Sequence, residues 1–287
     1  MSISYFAECT VLITGASAGI GREFARQLAP VVNTMVLVAR RSERLEALEL
    51  ELKVVNPKLE VYGRQLDLTN QAELKRFCDW LNESGLVVDL LVNNAGLGDR
   101  GSFAGGTWER VQSMLQVNVQ ALTYLVYRIL PSMRRSGCGA ILNVSSTASL
   151  IPLPNLAVYA ATKAYVTSFS EALRAELRNS NISVTVLCPG PVATEFGDVA
   201  TRVGDRYLTP MPDYLTVSVQ EVVRQALRAV AHDRARVIPG TAVNLIMSLV
   251  AFLPMFVKRL VLNAEVARTK ISSESATPLD YEISGMV

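Results

Sequence analysis

Thr10-Val11-Leu12-Ile13-Thr14 runs directly into Gly15-Ala16-Ser17-Ala18-Gly19-Ile20-Gly21, and the reading of these residues decides the fold. The first five are apolar or β-branched, as a strand buried on both faces requires. Three glycines follow at positions 15, 19 and 21. Glycine lets a backbone turn sharply and approach a ligand closely, and the helix expected over Arg22 to Leu28 would open on unpaired N–H groups carrying partial positive charge. Strand, glycine turn and helix N-terminus together make a cradle for a pyrophosphate.

Outward from this loop the same alternation recurs. Thr34 to Ala39, Leu59 to Gln65, Val88 to Val92, Ala140 to Val144 and Ser183 to Cys188 are short, compact and rich in branched residues, so six strands buried on both faces are expected in all. Segments of helical spacing separate them, including Ser42 to Val55, Asn70 to Ser84, Thr107 to Arg135 and Val158 to Asn179. Strand and helix in repeated alternation imply parallel pairing through right-handed crossovers. The expected fold class is therefore α/β, a doubly wound parallel sheet of the Rossmann type. Ligands of such sheets sit at the carboxyl ends of the strands. Residues 1–240 are expected to form one domain of this type, followed by an apolar helical extension over 241–263 and a polar tail over 264–287.

Composition narrows the function classes. Half of the 287 residues are hydrophobic and 19% are charged, which suits a chain with a large core and excludes native disorder. The 28 basic residues nearly balance 26 acidic ones, so no field marks nucleic acid as the partner. Cys9, Cys78, Cys138 and Cys188 stand far apart, and with His232 the one histidine no metal site is expected. A reducing cytoplasm is the natural compartment. No secretory signal or myristoylation site is expected at the N-terminus.

The second strand ends Val38-Ala39-Arg40-Arg41. Folds of this type that choose NAD place an acidic residue here for the ribose 2′-hydroxyl. Ala39 leaves space instead, and Arg40 and Arg41, with the Ser17 hydroxyl, can meet a 2′-phosphate through charge-assisted hydrogen bonds. The expected cofactor is NADP(H).

Tyr159 and Lys163 are four residues apart at the start of a long helix, so both project from one face. A tyrosine titrates near pH 10, and each unit of depression needs about 1.4 kcal/mol of phenolate stabilisation, part of which a neighbouring ammonium can supply. Ser145-Ser146 ends the fifth strand thirteen residues before the tyrosine, and Asn93-Asn94-Ala95-Gly96 follows the fourth.

With these motifs in order, residues 8 to 240 resemble the short-chain dehydrogenase/reductase family, in the subtype marked by T-G-x-x-x-G-x-G, N-N-A-G and Y-x-x-x-K. The resemblance implies that Tyr159 is the general acid or base at the substrate carbonyl. It implies that Lys163 depresses the tyrosine pKa and holds the nicotinamide ribose. Ser146, rather than Ser145, would hydrogen-bond the reacting oxygen, and Asn118 would support a proton relay through water. It further implies cofactor contacts at Gly15, Ser17, Gly19, Ile20, Gly21, Arg40 and Arg41. Asp67 and Leu68 would lie at the adenine, and Asn94, Ala95 and Gly96 along the adenosine half. Pro189, Gly190, Val192 and Thr194 would form the carboxamide clamp. The complete tetrad disfavours a non-catalytic nucleotide-sensing module.

The stretch from Thr147 to Leu156, with Leu150-Ile151-Pro152-Leu153-Pro154 within it, borders the reacting carbonyl in this reading and predicts an apolar pocket. Phe196 and Met211, within Glu195 to Tyr214, would form a lid opening at Gly197 and Gly204. The expected activity is NADPH-dependent reduction of an apolar ketone or aldehyde to the alcohol. The alternative is a 3-oxoacyl or hydroxysteroid reductase that approaches lipid. Val237 to Val257 carries no charge, but Pro239-Gly240 and Pro254 leave about 13 helical residues, short of the roughly 20 that cross a bilayer. Thr241, Asn244, Ser248 and Ala251 form a small-residue stripe suited to close helix packing. Packing on the domain or across a homo-oligomer interface, in a dimer or tetramer, is the expected role of this segment. Peripheral membrane contact comes second.

Overall fold

The computed structural model describes residues 3–202 and 216–259. Among them, β1 (Thr10–Thr14), β2 (Thr34–Ala39), β3 (Glu60–Gln65), β4 (Leu90–Asn93), β5 (Gly139–Val144), β6 (Ile182–Leu187) and β7 (Arg236–Val237) form one sheet. The strand order is β3-β2-β1-β4-β5-β6-β7, and every pairing is parallel. From β1 the chain winds outward to β3, then returns to place β4 on the other side of β1. That reversal opens a crevice at the carboxyl ends of β1 and β4, where a doubly wound sheet takes its ligand.

Period-two alternation in the buried strands feeds two cores. Ile13 and Leu37 face Phe24 and Leu28 of α1 (Gly19–Leu28), Leu48 of α2 (Ser42–Val55) and Leu227 of α8 (Val219–Ala231). Leu12 and Leu91 point the other way. They meet Leu81 of α3 (Gln71–Glu83), Leu125 and Ile129 of α5 (Leu122–Ser136), and Leu173 of α6 (Ala157–Glu176). Each such side chain contributes about 1.5–3 kcal/mol when fully buried. The glycine loop and α6 therefore stand on a closely packed base.

Four expectations are corrected. β3 is not buried on both faces: it is the sheet edge, and Glu60 and Gln65 lie exposed. The helix expected over Thr107 to Arg135 is three pieces, α4 (Trp108–Leu115), a π-helical segment Gln116–Ala121, and α5. The apolar side chains keep helical spacing through the wider turn, so periodicity alone does not show it. The two-residue β7 is a strand beyond the six expected, paired to Val186 and Leu187.

The fourth correction concerns α9 (Thr241–Phe252), which lies against the turn Thr147–Leu150. Its Thr241, Asn244 and Ser248 are exposed, and Val243 is the buried contact. The small-residue stripe is thus not the face that packs on the domain, because branched Val243 fills more apolar volume there. No helix among the described residues is long and apolar enough to cross a membrane. Gly204, Met211 and Tyr214 of the expected lid, and the tail over 264–287, lie outside the described residues.

Candidate active site

The glycine loop is built by close approach. Gly15 takes φ +67°, and a Cβ there would stand 2.9 Å from Ala95 Cα and from Asn94 Nδ2. At Gly21 a Cβ would fall 2.3 Å from the Gly15 carbonyl oxygen, so α1 could not sit against the loop with any larger residue. Gly19 lies beside the Thr194 side chain, and Ile20 packs on the first core. Asn94 Nδ2 donates to the carbonyls of Thr14 (2.9 Å) and Gly15 (3.3 Å). The backbone N–H groups of Asn94 and Ala95 both donate to Thr14 Oγ1, each at 3.0 Å. Thr14 thus joins the loop after β1 to the loop after β4, a function visible in the sequence only as the first letter of the glycine motif. A cradle with no room for side chains fits a dinucleotide pyrophosphate.

At the β2 end, Ala39 is buried while Arg40 and Arg41 are exposed. Gln65 Nε2 donates to the Arg40 carbonyl at 3.2 Å. Arg41 Nη2 reaches Ser17 Oγ at 3.5 Å, and its Nη1 donates to Glu195 at 3.0 Å. Arg44 donates to the same carboxylate at 2.6 Å. Arg44 was not among the expected cofactor residues, although its place three residues after Arg41 on the first turn of α2 puts both cations on one side. This cluster of cations suits a 2′-phosphate.

The reacting end is organised by α6. Tyr159 stands in its first turn, half-buried, with a hydrogen bond to Ser146. Burial pushes its phenol up to about 12, and the Ser146 hydrogen bond pulls the other way. Ser146 Oγ also accepts from Ala148 N at 3.1 Å, which fixes it at the start of the Thr147–Leu150 turn. Ser145 points away: its Oγ donates to the Lys163 carbonyl at 2.8 Å and meets Thr167 Oγ1 at 2.8 Å.

Lys163 is buried, with Nζ donating to the Val144 carbonyl at 2.8 Å and lying 5.9 Å from the Tyr159 ring centroid. Desolvation brings its ammonium down to about 8. Burial acts on both groups, and it disfavours the phenolate and the ammonium alike.

Asn118 occupies the π-helical segment, buried, with all its side-chain bonds inward. Oδ1 accepts from Leu97 N at 2.8 Å, while Nδ2 donates to the Leu97 carbonyl at 2.8 Å and to Thr162 Oγ1 at 3.0 Å. It ties the Asn94-Ala95-Gly96-Leu97 loop to α6, where a Cβ on Gly96 would stand 3.3 Å from Lys163 Nζ.

The remaining expected residues fall around this centre. Asp67 Oδ1 accepts from Thr69 N (2.9 Å) and Thr69 Oγ1 (2.8 Å), closing the turn after β3, with Leu68 buried beside it. The Pro189 carbonyl accepts from Thr147 N at 2.9 Å, Gly190 follows it, Val192 packs on the first core, and Thr194 precedes α7 (Glu195–Ala200). Phe196 lies 5.6 Å from the Tyr159 ring, centroid to centroid. Asp99 was missed. Buried, it accepts from Arg202 Nε at 2.9 Å and from Arg110 Nη1 at 3.1 Å, and the Arg202 partner is 103 residues away, beyond any motif.

A family model described as short chain dehydrogenase matches residues 9–202. Sulfoacetaldehyde reductase 2 of Chromohalobacter salexigens is 33% identical, over 78% of this chain and 98% of the relative. The NADP-dependent 3-hydroxy acid dehydrogenase YdfG of Salmonella typhi is 34% identical, over 77% of this chain and 88% of the relative. Among solved structures, a short-chain dehydrogenase from Sphingobium yanoikuyae in complex with NADPH superimposes with a TM-score of 0.75 at 32% identity. That match covers 95% of this chain and 99% of the other.

Proposed function

The chain belongs to the short-chain dehydrogenase family and is an NADP-dependent oxidoreductase; from that premise we propose that it reduces the carbonyl of an apolar ketone or aldehyde. Gly15, Ser17, Gly19, Ile20 and Gly21 hold the pyrophosphate, Arg40 and Arg41 the 2′-phosphate, and Asp67 and Leu68 the adenine. Asn94, Ala95 and Gly96 line the adenosine half, and Pro189, Gly190, Val192 and Thr194 hold the carboxamide. NADPH supplies the hydride when bound.

The protein's own work is at the carbonyl oxygen. The Tyr159 phenol carries its proton at neutral pH and donates it as negative charge develops on the oxygen. Ser146, held by the Ala148 N–H and bonded to Tyr159, hydrogen-bonds the same oxygen and orients it. Lys163 holds the nicotinamide ribose hydroxyls, and Asn118 keeps α6 and the loop after β4 in register, supporting the relay that returns a proton to the site.

The observation that carries the apolar substrate is the wall facing Tyr159. Phe196 lies against the tyrosine ring, and Arg202 and Arg110 are already engaged by Asp99. The relatives are named for different substrates, so the wall of this chain is the better guide. The test is NADPH consumption with a panel of carbonyl compounds. Aryl and long-chain alkyl ketones should show kcat/KM at least about tenfold above sulfoacetaldehyde and short 3-oxo acids. Preference for the anionic compounds would overturn the assignment. The exposed apolar α9 fits a homo-oligomer interface in this proposal, with the domain over 1–240 carrying the chemistry.

A further inference from the structure

The short helix α7 is tied down on both sides. At its start, the Glu195 carboxylate accepts from Arg41 at 3.0 Å and from Arg44 at 2.6 Å. One residue on, Phe196 packs on Tyr159 and presses against Gly98, where a Cβ would stand 2.9 Å from the Phe196 ring. Past its end, Arg202 reaches Asp99 at 2.5 and 2.9 Å, and Arg100 N donates to the Ala200 carbonyl at 2.7 Å.

The two ties differ in kind. Asp99 is buried and its bond to Arg202 is bidentate, a durable anchor. The carboxylate of Glu195 and the guanidinium groups of Arg41 and Arg44 are all exposed, so these pairs are weak and exchangeable. Arg41 also faces Ser17 of the phosphate loop. A carboxylate therefore already occupies the cations on which a ribose 2′-phosphate would settle. A phosphate monoester brings close to two negative charges at neutral pH and three acceptor oxygens, which one carboxylate cannot match.

We propose that Glu195 is a specificity-determining residue: an internal anion that competes with the cofactor 2′-phosphate for Arg41 and Arg44. Displacement of the carboxylate by a 2′-phosphate loosens the first turn of α7 while Asp99 keeps its far end, so the presence of the phosphate is transmitted to Phe196 over the catalytic tyrosine. An NAD-type ribose, with no phosphate to offer, leaves Glu195 in place. The inference rests on the proposed role of Arg41 as a 2′-phosphate ligand.

The test uses the full-length protein and two fragments without a nicotinamide, 2′,5′-ADP and 5′-AMP. In Glu195→Gln, which keeps shape and removes charge, calorimetry should show 2′,5′-ADP binding about three- to tenfold tighter than in the wild type, with 5′-AMP unchanged. Glu195→Asp should stay close to the wild type. Hydrogen exchange over residues 195–202 should quicken in the wild type on adding 2′,5′-ADP but not 5′-AMP, and in Glu195→Gln it should be fast beforehand. Unchanged or weaker 2′,5′-ADP binding in Glu195→Gln, with Arg41→Ala losing the preference for 2′,5′-ADP, would overturn the role of Glu195 alone. If Arg41→Ala keeps the wild-type preference, the 2′-phosphate site itself is misplaced and the inference falls with it.

Discussion

The loop joining β1 to α1 and the helices α7 and α9 that follow β6 are constrained in opposite ways. In the first, backbone meets backbone: Thr14 Oγ1 takes two N–H donors from the loop after β4, and Gly21 admits no Cβ at all. In the second, apart from the Arg100 N–H on the Ala200 carbonyl, side chains make the ties. Glu195 is held by exposed arginines, Phe196 by ring contacts, and α9 shows Leu245, Leu249 and Phe252 to the surface, the last 89% exposed. Close backbone contact permits one residue type, whereas side-chain contact permits many. The proposed cofactor half of the site is accordingly held to one residue type at its closest contacts, and the proposed substrate half leaves room for several.

Breaking the chemistry that both halves serve should have the largest effect. Tyr159→Phe keeps the ring against Phe196 and removes the proton. Turnover should fall about a hundred- to ten-thousandfold, read as single-turnover NADPH oxidation, while the NADPH dissociation constant stays within about twofold. Near-normal turnover would place the acid elsewhere.

The contrast between the halves can be broken directly with two glycines. Gly21→Ala puts a methyl group 2.3 Å from the Gly15 carbonyl oxygen, so α1 must move. The fold should lose about 1–3 kcal/mol in urea titrations, and NADPH affinity should fall at least about tenfold. Gly197→Ala, within α7, meets nothing within 4 Å. Stability there should stay level or rise by up to about 1 kcal/mol, as alanine is the better helix former. Equal losses in the two variants would abolish the distinction.

The same contrast explains what could be read from the sequence. β1, β2 and α2 coincide with their expected spans residue for residue, because two-sided burial and a clear helix start leave one reading. β3 was legible as a strand though not as an edge, and the two-residue β7 at the opposite edge is too short to carry a pattern. The π-helical turn around Asn118 was illegible because the residues on either side keep helical spacing. In the site, the glycines and the Tyr159–Lys163 pair were legible as local spacings. Asp99 with Arg202, and Glu195 with Arg41 and Arg44, were not, since each pair closes over more than 100 residues.

A subtler effect should come from Lys163, whose buried ammonium belongs to the proposed cofactor half. Its folded pKa is near 8 against 10.5 for an ordinary lysine. Between those values the unfolded chain binds more protons than the folded one, so stability due to this residue rises with pH across the window and is lost as pH falls through about 8. Relative to Lys163→Met, the wild-type protein should therefore gain on the order of 2 kcal/mol between pH 7 and pH 10. A pH-independent difference in paired urea titrations would show that the ammonium is solvated.

The smallest effect should come from the outer face of α9. Leu245, Leu249 and Phe252 project from a helix whose buried contact with the domain is Val243, so replacing all three with serine removes little packing within the chain. Serine is a slightly weaker helix former than leucine, by a few tenths of a kcal/mol per site. The domain should therefore unfold within about 1 kcal/mol of the wild type, and Tyr159-dependent turnover should be intact. If this face is the interface of a homo-oligomer, sedimentation of the triple variant should shift to a smaller species. Burial of such side chains against a second copy is worth about 1.5–3 kcal/mol each, and that interface would be lost. A large fall in monomer stability with no change of sedimentation would instead mean that the face is covered from within the chain, making this part of the substrate half as constrained as the cofactor half it is contrasted with.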